Sequence, residues 1–193
     1  MKLRATVIGV ILVMASSGLS KEPVRHPICI ITLQTNPASS GWLLVCIDGS
    51  LYFEAVRKRH PDDKPMHWPF KSKDPCRRFE LTSEVGSTTI KCIKCGESPD
   101  TYLRAVFSTD PPSVMIEQNA EKASTWKIRR GEHKEWYIES VDDTGKTAWL
   151  SKDEKVSTVI PMRDPNLVVD CRRAVVSYDA KPALKIEITN DER

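Results

Sequence analysis

The chain has 193 residues, 40% hydrophobic and 28% charged, with a formal net charge of +3. That is one ordinary domain with enough apolar residues for a core, and a mean hydropathy of −0.37 argues against a membrane protein. Lys plus Arg number 29 against 26 acidic residues, a balance too even for the basic footprint of a nucleic-acid binder.

The chain opens with "MKLR", a short basic start, followed by the apolar run "ATVIGVILVMA" and the small residues "SSGLS". This is the three-part plan of a secretory signal peptide, and the run is too short to span a bilayer. The expectation is a signal peptide over residues 1–20 cleaved near Ser20, a secreted product and no membrane insertion. Losing Lys2 and Arg4 leaves 27 basic against 26 acidic residues, so the mature chain carries about one net positive charge. None of the four asparagines sits in an Asn-x-Ser/Thr sequence.

Helical periodicity is nearly absent from the rest. Short runs rich in Ile, Val, Trp, Tyr and Leu recur instead, separated by Gly, Pro, Asp and Asn, which is the signature of strands and turns. The predicted strands are residues 28–33, 42–47, 50–56, 78–82, 88–94, 101–107, 113–118, 125–129, 136–141, 147–151, 155–160 and 170–178. The class is all-β.

Phe79-Glu80-Leu81 has counterparts at Trp126-Lys127-Ile128 and Ala174-Val175-Val176, offset by 47 and 48 residues, and Leu103 and Leu150 are also 47 apart. Repetition at this period fits either a stacked array or a closed pseudo-symmetric barrel. Three units of four strands predict a β-trefoil: twelve strands, a six-stranded barrel and three closing hairpins, without exposed edges. The single domain is expected over 21–178, with 179–193 as a C-terminal tail. The first unit is longer, because Leu43 to Leu103 spans 60 residues. The excess is the Pro-rich, charged segment 57–78, expected to be a long exposed loop. Trp126 and Trp149 are predicted core residues at matching places in the barrel.

No catalytic framework is present. GxSxG, HExxH and Gly-rich phosphate loops are absent, and the acid pairs Asp62-Asp63, Asp142-Asp143 and Asp153-Glu154 fall at turns where carboxylates are solvated. No enzyme activity and no cofactor are expected. The six cysteines, Cys29, Cys46, Cys76, Cys92, Cys95 and Cys171, are disulfide candidates in a secreted chain, with one or two bridges plus buried thiols as the alternative to full pairing. "CIKC" (Cys92 to Cys95) suggests a zinc half-site, but residues three apart on a strand point to opposite faces and cannot share a metal. His26, His60, His67 and His133 are scattered, so no metal site is expected. Basic pairs at Arg57–His60, Arg77-Arg78, Arg129-Arg130 and Arg172-Arg173 leave a heparin-like polyanion as a secondary partner.

The stretches "TTIKCIKCGESPDTYLRAV", "STWKIRRGEHKEWYIESV" and "TAWLSKDEKVSTV" resemble the interleukin-1 family of β-trefoil cytokines over roughly residues 79–178. The family order of a cysteine-bearing strand, an "LxLEAV"-like strand, an aromatic-x-Ile-Arg strand, an aromatic-Glu-Ser strand and a Trp-containing strand falls at Ile90–Cys95, Tyr102–Val106, Trp126–Arg129, Ile138–Ser140 and Trp149-Leu150. The resemblance implies a cytokine gripped by the immunoglobulin domains of an interleukin-1-type receptor, with an accessory receptor recruited by agonists. It implies receptor-binding residues among Asp170, Arg172, Arg129, Arg130 and Lys152. Asp170 stands where the family's receptor antagonist carries a lysine, which favours agonist-like binding, whereas a signal peptide is the antagonist's feature. The fibroblast growth factor group shares the fold and pairs with heparan sulfate. A trefoil protease inhibitor would present the 57–78 loop, and a lectin would need exposed aromatic and Asp pairs in all three units.

Overall fold

The computed structural model describes residues 28–34, 41–65, 67, 75–84, 86–93, 101–179 and 181–189, together with the backbone of 24–25. The expected signal peptide, Cys95, His26 and most of the loop after residue 65 lie outside them. The described chain is all-β: thirteen strands, one short 3-10 turn at Ala120–Lys122 and no α-helix. No helix among the described residues is long and apolar enough to cross a membrane.

The strands are β1 (Val24–Arg25), β2 (Cys29–Leu33), β3 (Trp42–Ile47), β4 (Ser50–Lys58), β5 (Phe79–Glu84), β6 (Ser87–Cys92), β7 (Thr101–Val106), β8 (Ser113–Glu117), β9 (Lys127–Arg130), β10 (Trp136–Val141), β11 (Thr147–Pro161), β12 (Leu167–Ser177) and β13 (Leu184–Ile188). Alternation of apolar and polar side chains puts one row of each strand inward. In β6, Thr88, Ile90 and Cys92 are buried and their neighbours are not. Turn chemistry closes the hairpins. Asp48 and Gly49, both at positive φ, join β3 to β4 in the two-residue turn that suits strand twist. Gly145, at φ 84°, closes β10–β11, where Asp142 Oδ1 accepts from the Thr144 and Lys146 amides.

Six strands pair into a closed ring. β2 pairs β5, β5 pairs β6, β6 meets β9 through the Thr88–Trp126 bridge, β9 pairs β10, β10 pairs β13 and β13 returns to β2. The ring positions match in threes. Cys29 faces Phe79, Thr88 faces Trp126 and Trp136 faces Leu184. Two residues further on stand Ile31, Ile90 and Ile138, each at most 1% exposed. Three hairpins, β3–β4, β7–β8 and β11–β12, project from the ring and pair among themselves. Leu44, Leu103 and Leu150, all fully buried, pair with Phe53, Ile116 and Val176 and fill the space between ring and hairpins.

These pairings correct several expectations. The third match to Phe79 and Trp126 is Leu184, not Ala174, because Ala174-Val175-Val176 belongs to a hairpin strand. Leu44 rather than Leu43 matches Leu103. The two strands expected over 147–151 and 155–160 form one, with an irregular register between Lys152 and Ser157. The sheet also runs past residue 178: Leu184–Ile188, in the segment expected as a tail, lies between β2 and β10. Trp126 is fully buried, and its Nε1 donates to the Leu103 carbonyl at 3.2 Å. Trp149 is only half-buried, and its indole N–H is enclosed without a partner among the described residues.

Candidate functional site

The β11–β12 hairpin is much longer than the other two, and its outer half lies against β4, with Val169 opposite Val56 and Asp170 opposite Ala55. Along β12 the inward row reads Val168, Asp170, Arg172, Ala174, Val176. Past the barrel, this row meets polar rather than apolar neighbours.

Three of the five expected contact residues converge there. Asp170 is 3% exposed and accepts from Arg57 Nε at 3.2 Å, while its Oδ1 has no hydrogen-bond partner among the described residues. Arg57 also forks onto Asp63, at 2.7 and 2.8 Å. This two-pronged hydrogen bond, with the His60 amide next, holds the Asp63 carboxyl well below the usual carboxylate range and raises the Arg57 guanidinium. Arg172 Nη1 donates to the Glu154 carbonyl at 2.6 Å and to its carboxylate at 3.2 Å. The Arg172 guanidinium sits 5.3 Å from the Trp42 ring centre, and Lys152 Nζ sits 4.9 Å from the same ring. Lys152 also pairs with Glu154. Trp42 thus carries two cations, an arrangement strengthened by partial removal from water.

Lys152 occupies a position that is apolar elsewhere. It pairs with Ala174 as Cys46 pairs with Leu51 and Ala105 with Val114. Cys46 and Ala105 are buried apolar residues, and Lys152, 8% exposed, is a buried charge in the same register. Trp42 was not among the expected contact residues. Its signal in the sequence was only its position opposite Leu33 at the start of a strand, where the other units have Thr101 and Ala148.

Arg129 and Arg130 lie elsewhere, on β9. Arg129 Nε donates to Glu139 Oε1 at 2.6 Å, and Arg130 sits 5.7 Å from the Trp136 ring centre. Ile138, Glu139 and Ser140, the segment most like the cytokine pattern, are all buried, so they serve the barrel. Beside the Arg57 group, Lys58–Pro61 and Asp164–Leu167 line an open cleft at the hairpin tip. Of the described histidines, His60 accepts from the Asp62 amide at 3.3 Å, and His67 and His133 are exposed.

Of the disulfide candidates, Cys29, Cys76, Cys92 and Cys171 are free thiols, Cys46 is disulfide-bonded, and Cys95 lies outside the described residues. Burial pushes the Cys29 and Cys171 thiols up to about 12, so both are inert. Among the described residues no three His, Cys, Asp or Glu side chains gather as a metal centre. No protein-family model matches the chain, and no curated protein or solved structure matches it.

Proposed function

We propose that this protein is a secreted ligand of the interleukin-1 type, a β-trefoil that binds the immunoglobulin-domain ectodomain of a receptor. A closed six-stranded ring whose positions match in threes, carrying three mutually paired hairpins, is the plan of a trefoil, and it supports that fold by its pairing alone. The observation that carries the functional reading is the break in the apolar pattern at the third hairpin. There Lys152 and Arg172, each paired with Glu154, lie over the half-buried ring of Trp42. Charged residues in apolar register cost stability unless they serve something, and Trp and Arg are the residue types that anchor protein interfaces.

Recognition, not catalysis, is the proposed role, with an accessory receptor joining if the ligand is an agonist. Asp170 favours the agonist-like reading through the resemblance, since it stands where the family's receptor antagonist carries a lysine, and here it is buried and accepts from Arg57. Secretion rests on the signal-like residues 1–20 and on the disulfide at Cys46, a bond kept in oxidising compartments. A growth-factor-like, heparin-binding role is the second reading, favoured by exposed Lys127, Arg129 and Arg130 on one short strand.

The test is binding of the mature protein to a panel of interleukin-1-type receptor ectodomains, beside a heparin column. Nanomolar binding to one ectodomain, weakened by Arg172→Ala, with elution from heparin at low salt, supports the cytokine reading. Empty receptor lanes with strong, salt-eluted heparin retention overturn it in favour of the growth-factor reading. If both are empty, protease inhibition by the 57–78 loop is the reading left to measure.

A further inference from the structure

The third hairpin carries a bulge that the other two lack. Lys152 pairs with Ala174 and Ser157 with Arg172, so β11 advances five residues while β12 advances two. The registers of β3–β4 and β7–β8 run without such a break. A bulge of this kind turns side chains out of the strand's alternation. Glu154, Lys155 and Val156 stand exposed, and the Asp153 carboxylate accepts from the Lys155 amide at 2.8 Å. Arg172 reaches across to hold the bulge, donating through Nη1 to the Glu154 carbonyl at 2.6 Å and to the Asp153 carbonyl at 3.5 Å.

The bulge lays one carboxylate across two cations. Glu154 Oε1 pairs with Lys152 Nζ, and Oε2 accepts from Arg172 Nη1 at 3.2 Å. The three side chains differ in exposure: Glu154 is 71% exposed, Arg172 is 21% exposed and Lys152 is buried. Both cations lie over Trp42, and Asp170, 3.8 Å from Arg172 Nη2, already accepts from Arg57. The cations are therefore held in the fold, whereas the anion that serves them hangs on an exposed bulge and is easily hydrated. A cation withdrawn from water is costly without a counter-charge, so a second carboxylate is drawn in when Glu154 leaves.

We propose that Glu154 is an internal stand-in for a carboxylate of the protein partner, an assignment that rests on the receptor-ligand reading above. On binding, an Asp or Glu side chain of the partner takes the place of Glu154 on Lys152 and Arg172, and Glu154 swings into water. Two donors on the two oxygens of one planar group match a carboxylate. Exposed Val156 on the same bulge offers the partner an apolar contact beside the charges.

The test is NMR of the isotope-labelled mature protein titrated with sodium acetate at constant ionic strength, reading the Trp42 indole N–H. Glu154→Ala, a change at an exposed side chain, should show saturable acetate binding. The parent should need about tenfold more acetate, the factor expected when an internal carboxylate fills the site about nine-tenths of the time. Lys152→Met in the Glu154→Ala background should abolish saturation. Equal acetate curves for the parent and Glu154→Ala overturn the proposal, as does a Glu154→Ala protein that never saturates. A second arm measures affinity for the receptor ectodomain that the parent binds. Glu154→Ala should bind it about tenfold tighter, and one acid-to-amide change on the ectodomain should cancel that gain. Equal ectodomain affinities overturn the exchange while leaving the receptor reading intact. An acetate site without any ectodomain bound overturns the receptor and keeps the carboxylate site. Tighter heparin retention of Glu154→Ala with no gain in ectodomain affinity assigns the cations to a sulfated polyanion and overturns the carboxylate partner.

Discussion

Lys152 stands in the third hairpin where Cys46 and Ala105 stand in the first and second, and the three positions share one register against Ala174, Leu51 and Val114. In the first two hairpins the position that matches Lys152 is apolar and buried, though Arg57 on β4 and Thr101 on β7 lie in the same inward rows. In the third the row turns ionic at Lys152, Asp170 and Arg172, and the hairpin grows outward along β4. The same backbone frame therefore puts an apolar residue at this position in two hairpins and a charge in the third, where Lys152 and Arg172 lie over Trp42 of the first. Departure from a pattern the fold itself repeats is a stronger pointer to function than any single residue type.

The largest effect should come from the apolar side of this comparison. Trp126→Ala removes a fully enclosed ring and the Leu103 hydrogen bond of its indole, and should cost about 3–5 kcal/mol in urea unfolding. A cost near 1 kcal/mol would mean that the matched layers of the ring do not carry the stability.

Trp126 was legible in the sequence because the 47-residue spacing from Phe79 marks a true ring equivalence. All twelve predicted strands overlap observed ones, because period-two patterning and turn residues are local signals. The third repeat was misplaced for a physical reason. The long β11–β12 hairpin pushes the matching ring strand out to Leu184, so a search at fixed spacing lands on Ala174 inside the hairpin. The candidate site was legible only as a set of charges. Lys152, Asp170 and Arg172 converge because of the register between β11, β12 and β4, which no local pattern encodes. Trp42, more than a hundred residues away in the chain, joins them only through closure of the barrel.

Within the ionic hairpin, Asp170 and Arg172 should separate stability from binding. Asp170→Ala leaves Arg57 without one of its two carboxylates in a largely buried setting and should cost about 1–3 kcal/mol of stability. Arg172→Ala gives up exposed hydrogen bonds to Glu154 and its seat on Trp42. It should change the urea midpoint little while weakening receptor binding by about 2 kcal/mol, the scale of an interface anchor. If both variants bind as the parent does, the third hairpin is an ionic lid and nothing more.

Acid should expose the same region. Arg57 and then the His60 amide lower the Asp63 pKa in the folded state, so the unfolded chain takes up that proton first. The stabilisation is complete above the ordinary carboxylate pKa of about 3.9 and drains as pH falls through the depressed folded value. Urea midpoints should therefore decline below about pH 4 in the parent, and Arg57→Met should decline less steeply over that range. Equal slopes would remove the fork from the list of features that hold the hairpin base.

The smallest effect is expected at Arg129, and it sharpens the comparison by its size. Arg129 belonged to the same set of expected contacts, yet its side chain is 65% exposed and it pairs with Glu139 across β9–β10. An exposed ion pair is screened by water, so Arg129→Ala should cost only about 0.2–1 kcal/mol. It lies on the ring strand β9, away from Trp42, and should leave receptor affinity unchanged while lowering the salt needed to elute the protein from heparin. A receptor-affinity loss equal to that of Arg172→Ala would mean that the binding surface spans ring and hairpin together. The contrast between the third hairpin and the rest of the molecule would then be a difference in packing, with no bearing on where the partner sits.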